Sequence, residues 1–156
     1  MKIPEKEAVA KHFQIPHNEL KTMIQYLSAV RNFCAHSNRL YCYNSKRPMV
    51  DTKYHTTLGI TKSTDKNYRK EEYLQGKRDL FAAALALRCL LSNNDFGKFT
   101  KDLSKAINWV SCNLAVLTID DILNEMGFPK NWKDLSPLSK YPKNRKIQNK
   151  KLKEKK

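Results

Sequence analysis

The chain has 156 residues with 30 Lys+Arg against 15 Asp+Glu, a formal charge of +15 at neutral pH. With 40% hydrophobic residues, four Gly and six Pro, it is too apolar for a disordered chain and too poor in Gly and Pro for a linker or fibrous protein, and its length suits one domain with a real core. So large a positive excess points to a polyanionic partner, nucleic acid before membrane surface.

Glu5 to Phe13 reads as a short helix closed by Ile15-Pro16, because the residue before proline is pushed out of the α region. A second helix opens at His17-Asn18. Its apolar Leu20, Met23, Ile24, Leu27, Val30 and Cys34 follow helical spacing to about Ala35 or His36. From Asn44 to about Glu72 that periodicity vanishes, predicting a long basic loop that includes Lys46, Arg47 and Lys53, with room for a short hairpin around Lys53 to Leu58.

Tyr73 to Leu91 reads as helical and, from Leu80 onward, apolar nearly all round, which predicts the central helix. The apolar run Leu80–Leu91 is shorter than the roughly 18 to 20 residues of a bilayer span and contains Arg88. A further helix starts near Asp95 with Phe96, Phe99, Leu103, Ile107, Val110 and Leu114 on one stripe. Thr118 can cap a last helix through Met126, stopped by Gly127 and Pro129. Phe128, Trp132, Leu135 and Leu138 suit an irregular strap over the bundle. The fold class expected is all-α, a helical domain over residues 1–138. Beyond it, residues 139–156 carry nine Lys+Arg against Glu154 alone, a disordered basic tail by composition.

With Glu5 and Glu7 where a signal peptide needs an apolar run, a cytoplasmic location is the expectation. Cys34, Cys42, Cys89 and Cys112 form no CxxC pair and read as reduced core thiols rather than metal ligands or disulfides. His12, His17 and His55 have no partner at a metal-ligand spacing. With neither a glycine-rich phosphate loop nor a GxSxG elbow, no cofactor or metal is expected.

One residue breaks the pattern. On a wheel of about 100° per residue, Arg31 lies about 20° from Leu20, inside the apolar stripe. Its guanidinium there either snorkels past the core or pairs with a buried acid, or it meets a phosphate or a subunit interface. Asn32 and His36 are i, i+4 neighbours, so Asn32 can orient the imidazole, and Arg39 is i+3 from His36. Arg31 and His36, however, are about 140° apart on a regular helix. Either the helix distorts near His36, or a second copy completes the site. Metal-free RNA cleavage makes the same demand, since it needs two proton-transfer groups and a cation for the phosphorane charge. A two-fold dimer would supply both histidines and both arginines. Tyr41 and Tyr43 can stack bases or simply pack at the helix end.

The string RNFCAHSNRLY, with YLQGKRDLFAAALALRCLL and the closing MGFPKNWKDLSPL, resembles the Abi-like (AbiD/AbiF) abortive-infection proteins of the HEPN superfamily in order and spacing. This resemblance implies an all-α, usually dimeric bundle with the motif lining a cleft between protomers. It further implies a metal-independent endoribonuclease of an anti-phage defence or toxin–antitoxin type system, held in check by an inhibitory protein or RNA partner. The alternative it leaves open is a non-catalytic RNA- or protein-binding module that acts as scaffold or neutralising partner. By motif position Arg31 would contact the scissile phosphate, His36 would be the general acid/base and Asn32 the orienting residue. Arg39, Tyr41, Lys46 and Arg47 would bind RNA. The family usually carries a helical region ahead of the motif helix, whereas about thirty residues precede Arg31 here.

Overall fold

The structure is a computed structural model that describes residues 3–36, 39–63 and 71–138; the basic tail lies outside the described residues. Helix α1 (Ile3–Phe13) ends where Gln14 adopts φ 58°, and Ile15-Pro16 turns the chain into α2 (His17–Ala35). α1 starts two residues before the predicted Glu5 and ends at the predicted Phe13, and α2 follows its predicted bounds.

The buried face of α2 is rotated from expectation. Leu20, Met23 and Tyr26 are buried, and Leu27, Val30 and Phe33 are partly buried against the same core. Each such side chain gains about 1.5–3 kcal/mol when fully buried, so this set decides which way the helix faces. The stripe is centred near Met23 and Val30, about 70° from Leu20. Ile24 (47% exposed) and Arg31 lie on its open edge, and Arg31 is exposed rather than inside the core stripe. Cys34 is exposed as well, as are Cys42 and Cys112, so only Cys89 behaves as the expected core thiol; all four are free.

Beyond a 3₁₀ turn at Leu40–Cys42 and the buried Tyr43, the segment expected as an unstructured basic loop enters the core through Met49, Tyr54, Leu58 and Ile60. Lys53 to Leu58 forms no hairpin. Lys53–Thr57 is a short helix, α3, because Thr52 and His55 cap it reciprocally and Tyr54 and His55 are buried. The strand-like pairing falls later, where Lys62 bridges Tyr73 in antiparallel sense and the Ser63 N–H donates to the Glu72 carbonyl at 2.7 Å. Residues 64–70 lie outside the described residues.

The central helix α4 (Leu80–Leu90) starts seven residues later than Tyr73. Gly76 sits at φ +77°, where a Cβ would come within 2.7 Å of Leu85 Cδ1, and so the helix cannot extend back through it. Asp79 then caps α4, its carboxylate accepting from the Ala82 N–H at 3.0 Å and the Gly76 N–H at 2.8 Å. Phe81 to Ala86 are all buried. The small side chains of this run let α2 and α5 (Asn93–Cys112) pack on α4. On α5, Phe96 is buried and Phe99, Leu103 and Ile107 pack against the core. Thr118 and Asp121 cap α6 (Ile119–Glu125), which Gly127 ends at φ +76°.

Phe128, Trp132 and Leu135 are buried in the closing strap. Arg88, also buried, fastens that strap from beneath: Nη2 donates to the Leu138 carbonyl and to Asn93 Oδ1, and the guanidinium lies over Phe96 at 5.0 Å. The described residues form an all-α bundle, and among them no helix is long and apolar enough to cross a membrane.

Candidate nucleic-acid interface on helix α2

The open face of α2 carries the motif. Ile24, Leu27, Ser28, Arg31 and Asn32 line a hollow of about 380 Å³ on one flank. On the other, Asn32, Phe33, His36, Ser45, Lys46 and Arg47 line a groove of about 860 Å³. Asn32 borders both. α2 runs unbroken to Ala35, with the His36 N–H donating to the Asn32 carbonyl at 3.2 Å, so no distortion brings Arg31 and His36 together. The Asn32 side chain turns toward the arginine: Arg31 Nη1 donates to Asn32 Oδ1 at 3.0 Å.

His36 is exposed at the end of α2. It differs in this from His55, whose ring is buried and stacked on Tyr73 at 4.6 Å. His55 Nε2 donates to the Gly76 carbonyl at 2.9 Å, and Nδ1 accepts from the Thr52 N–H at 3.0 Å, a neutral tautomer. Burial pushes its pKa down. His55 therefore holds the fold and is closed to a substrate.

Lys46 and Arg47 come from the following segment, and distant residues hold them. Arg78 Nη1 donates to the Lys46 carbonyl at 2.7 Å, while its Nε and Nη2 grip Glu72 at 3.1 and 3.2 Å. The backbone is paired alongside, Ser45 N–H to the Arg78 carbonyl at 2.7 Å and Met49 N–H to the Lys77 carbonyl at 2.8 Å. Lys77 is buried and donates to the Met49 carbonyl and to Asp51. Sequence reasoning missed Glu72, Lys77 and Arg78; the run Lys77-Arg78-Asp79 at the entry to an apolar helix was the available signal.

Arg39, just before the 3₁₀ turn, and Tyr41, within it, are exposed, and neither is among the described lining residues of the groove. Tyr43 is buried at the floor of the groove, packed edge-on to Tyr26 and Phe33. No carboxylate occurs among the described lining residues of the groove. What remains is a cationic trough with one proton-transfer group, suited to a phosphate chain.

Residues 1–42 of the chain match the model of a family described as Abi-like protein, a segment that spans α1, α2 and the Arg31-to-His36 string. No curated protein and no solved structure matches the chain.

Proposed function

We propose that this is a cytoplasmic Abi-like protein of the HEPN type that acts in abortive infection as a metal-independent endoribonuclease, with Arg31 and His36 paired across a homodimer. The observation that carries the reading is the placement of these two residues on opposite flanks of an unbroken α2. One protomer offers a histidine in a basic groove and an arginine outside it. A two-fold related copy offers the complement. Ile24 and Leu27 beside Arg31 give such a partner an apolar foothold.

In this reading one His36 takes the 2′-hydroxyl proton as that oxygen attacks phosphorus, and the partner's His36 protonates the departing 5′-oxygen. The P–O5′ bond breaks, leaving a 2′,3′-cyclic phosphate and a 5′-hydroxyl. Arg31, oriented by its hydrogen bond to Asn32, holds the negative charge that builds on the phosphorane oxygens. Lys46 and Arg47 guide the strand into the groove. An inhibitory protein or RNA that covers the groove would keep such a nuclease silent.

The test is RNA cleavage in EDTA by the wild type, Arg31→Ala and His36→Ala. Cleavage in EDTA that both substitutions abolish is expected. Cleavage lost in EDTA, or surviving both, would overturn the mechanism. RNA binding without cleavage by the wild type would favour the scaffold or neutralising module.

A further inference from the structure

We propose that the outer face of α5 is a second, sequence-tolerant contact for single-stranded RNA, with Trp109 stacking on a base and Lys101, Lys105 and Lys133 holding phosphates. It does not depend on catalysis at α2. The helix α4 packs against both α2 and α5, and the outer face of α5 is turned away from that contact.

Trp109 is 70% exposed on a helix whose Phe96, Phe99, Leu103 and Ile107 face the core. Tryptophan is seldom left so open, because no side chain gains more from leaving water. Lys105 precedes it by one turn, and Lys101 by a further turn. There a groove of about 340 Å³ runs between α5 and the strap, lined by Lys101, Lys105 and Lys133 with Thr100, Ser104 and Ser136 between them. Its described lining holds no carboxylate. Lys101 has no ion-pair partner among the described residues, and Lys133 has only the Trp132 ring, at 5.8 Å. Lys105 pairs with Asp102 at 3.2 Å, but both are exposed and such pairs yield readily to a phosphate.

A row of cations leading to one free aromatic ring is the arrangement that single-stranded nucleic acid requires, phosphates along the groove and a base on the ring. The sequence beyond Leu138, two residues after Ser136, adds nine Lys+Arg against one Glu. A lipid surface would ask for a continuous apolar stripe, whereas Asp102 and Lys105 interrupt this face.

The chain has two tryptophans, and Trp132, though only 4% exposed, also lines the groove, so quenching by stacking is assigned to Trp109 by its loss in Trp109→Phe. The full chain is titrated with 2′-O-methyl oligouridine, which lacks the hydroxyl nucleophile, and separately with inorganic polyphosphate and with phosphatidylserine vesicles. Quenching by the oligonucleotide is expected, with binding but no quenching by polyphosphate. Trp109→Ala should lower oligonucleotide affinity about tenfold, and Trp109→Phe should restore most of it. Lys101→Ala with Lys133→Ala should flatten the slope of log affinity against log salt by about 1.4. Arg31→Ala and His36→Ala should leave quenching in place, which separates this contact from the catalytic reading. Unquenched Trp109 at saturating oligonucleotide, unchanged affinity in Trp109→Ala, or a response confined to phosphatidylserine vesicles would overturn it.

Discussion

Arg78 Nη1 donates to the carbonyl of Lys46, 32 residues earlier in the chain, and so a salt-bridged side chain at the entry to α4 sets the backbone beneath the groove cations. A hydrogen bond from a charged donor to a backbone carbonyl is worth about 1.5–3 kcal/mol, more than an exposed ion pair. Arg78→Ala should therefore loosen Lys46 and Arg47 and weaken RNA binding about fivefold or more without removing either cation. Glu72→Gln should do the same to a smaller extent. Equilibrium binding of an uncleavable RNA measures this, and affinity unchanged in Arg78→Ala would show that the clamp does not position the groove.

Gly127 and Gly97 make opposite predictions from the same substitution. At Gly127 the backbone is at φ +76°, and a Cβ would lie 2.1 Å from Asp79 Cγ, displacing the carboxylate that caps α4. Gly127→Ala should cost about 3 kcal/mol or more, as strain and a lost cap combine. Gly97 is inside α5, where an added methyl would meet nothing within 4 Å, and Gly97→Ala should stabilise by about 0.5–1 kcal/mol. Urea midpoints of the two variants should shift in opposite directions.

Much of the bundle was legible because α2 and α5 carry a helical apolar period, and α1 and α6 carry local stop or cap signals, Ile15-Pro16 and Thr118. The facing of α2 was not, because Tyr26 and Phe33 also join its buried stripe and turn it away from Arg31. Helix α3 has too few residues to show a period; contacts to Gly76 and Tyr73, far along the chain, hold it in place. At the site, the angular separation of Arg31 and His36 follows from helix geometry alone. That Lys46 and Arg47 share the groove with His36 does not, since it depends on Arg78.

Stability against pH should show two opposing contributions. Burial raises the Asp79 pKa to about 6, so its stabilising effect is complete below the unfolded value near 4 and is lost as pH rises through about 6. Burial lowers the pKa of His55, so its contribution is complete above the unfolded value near 6.5 and is lost as pH falls through the folded one. The two partly cancel between about pH 4 and 6.5. Asp79→Asn keeps an N-cap acceptor but removes the first contribution. The variant should then lose stability as pH is lowered below about 6.5, more steeply than the wild type. Urea unfolding at several pH values decides it, and parallel profiles for the two proteins would refute the assignment to Asp79.

Mixing active and inactive chains tests whether the catalytic histidines are shared between protomers. If both His36 groups of a dimer act in one cleavage, a heterodimer of wild type and His36→Ala lacks one of the two proton-transfer groups and is inactive. Random exchange of equal amounts leaves about one quarter of the dimers wild type, so cleavage per total chain should fall to about one quarter. A site built within one protomer would instead retain about one half, because each wild-type chain carries all of its own groups. The unbroken course of α2 and the separation of its two flanks favour the lower value. Asn32→Ala, which frees the Arg31 guanidinium without deleting it, should lower cleavage about tenfold while leaving the exchange behaviour unchanged.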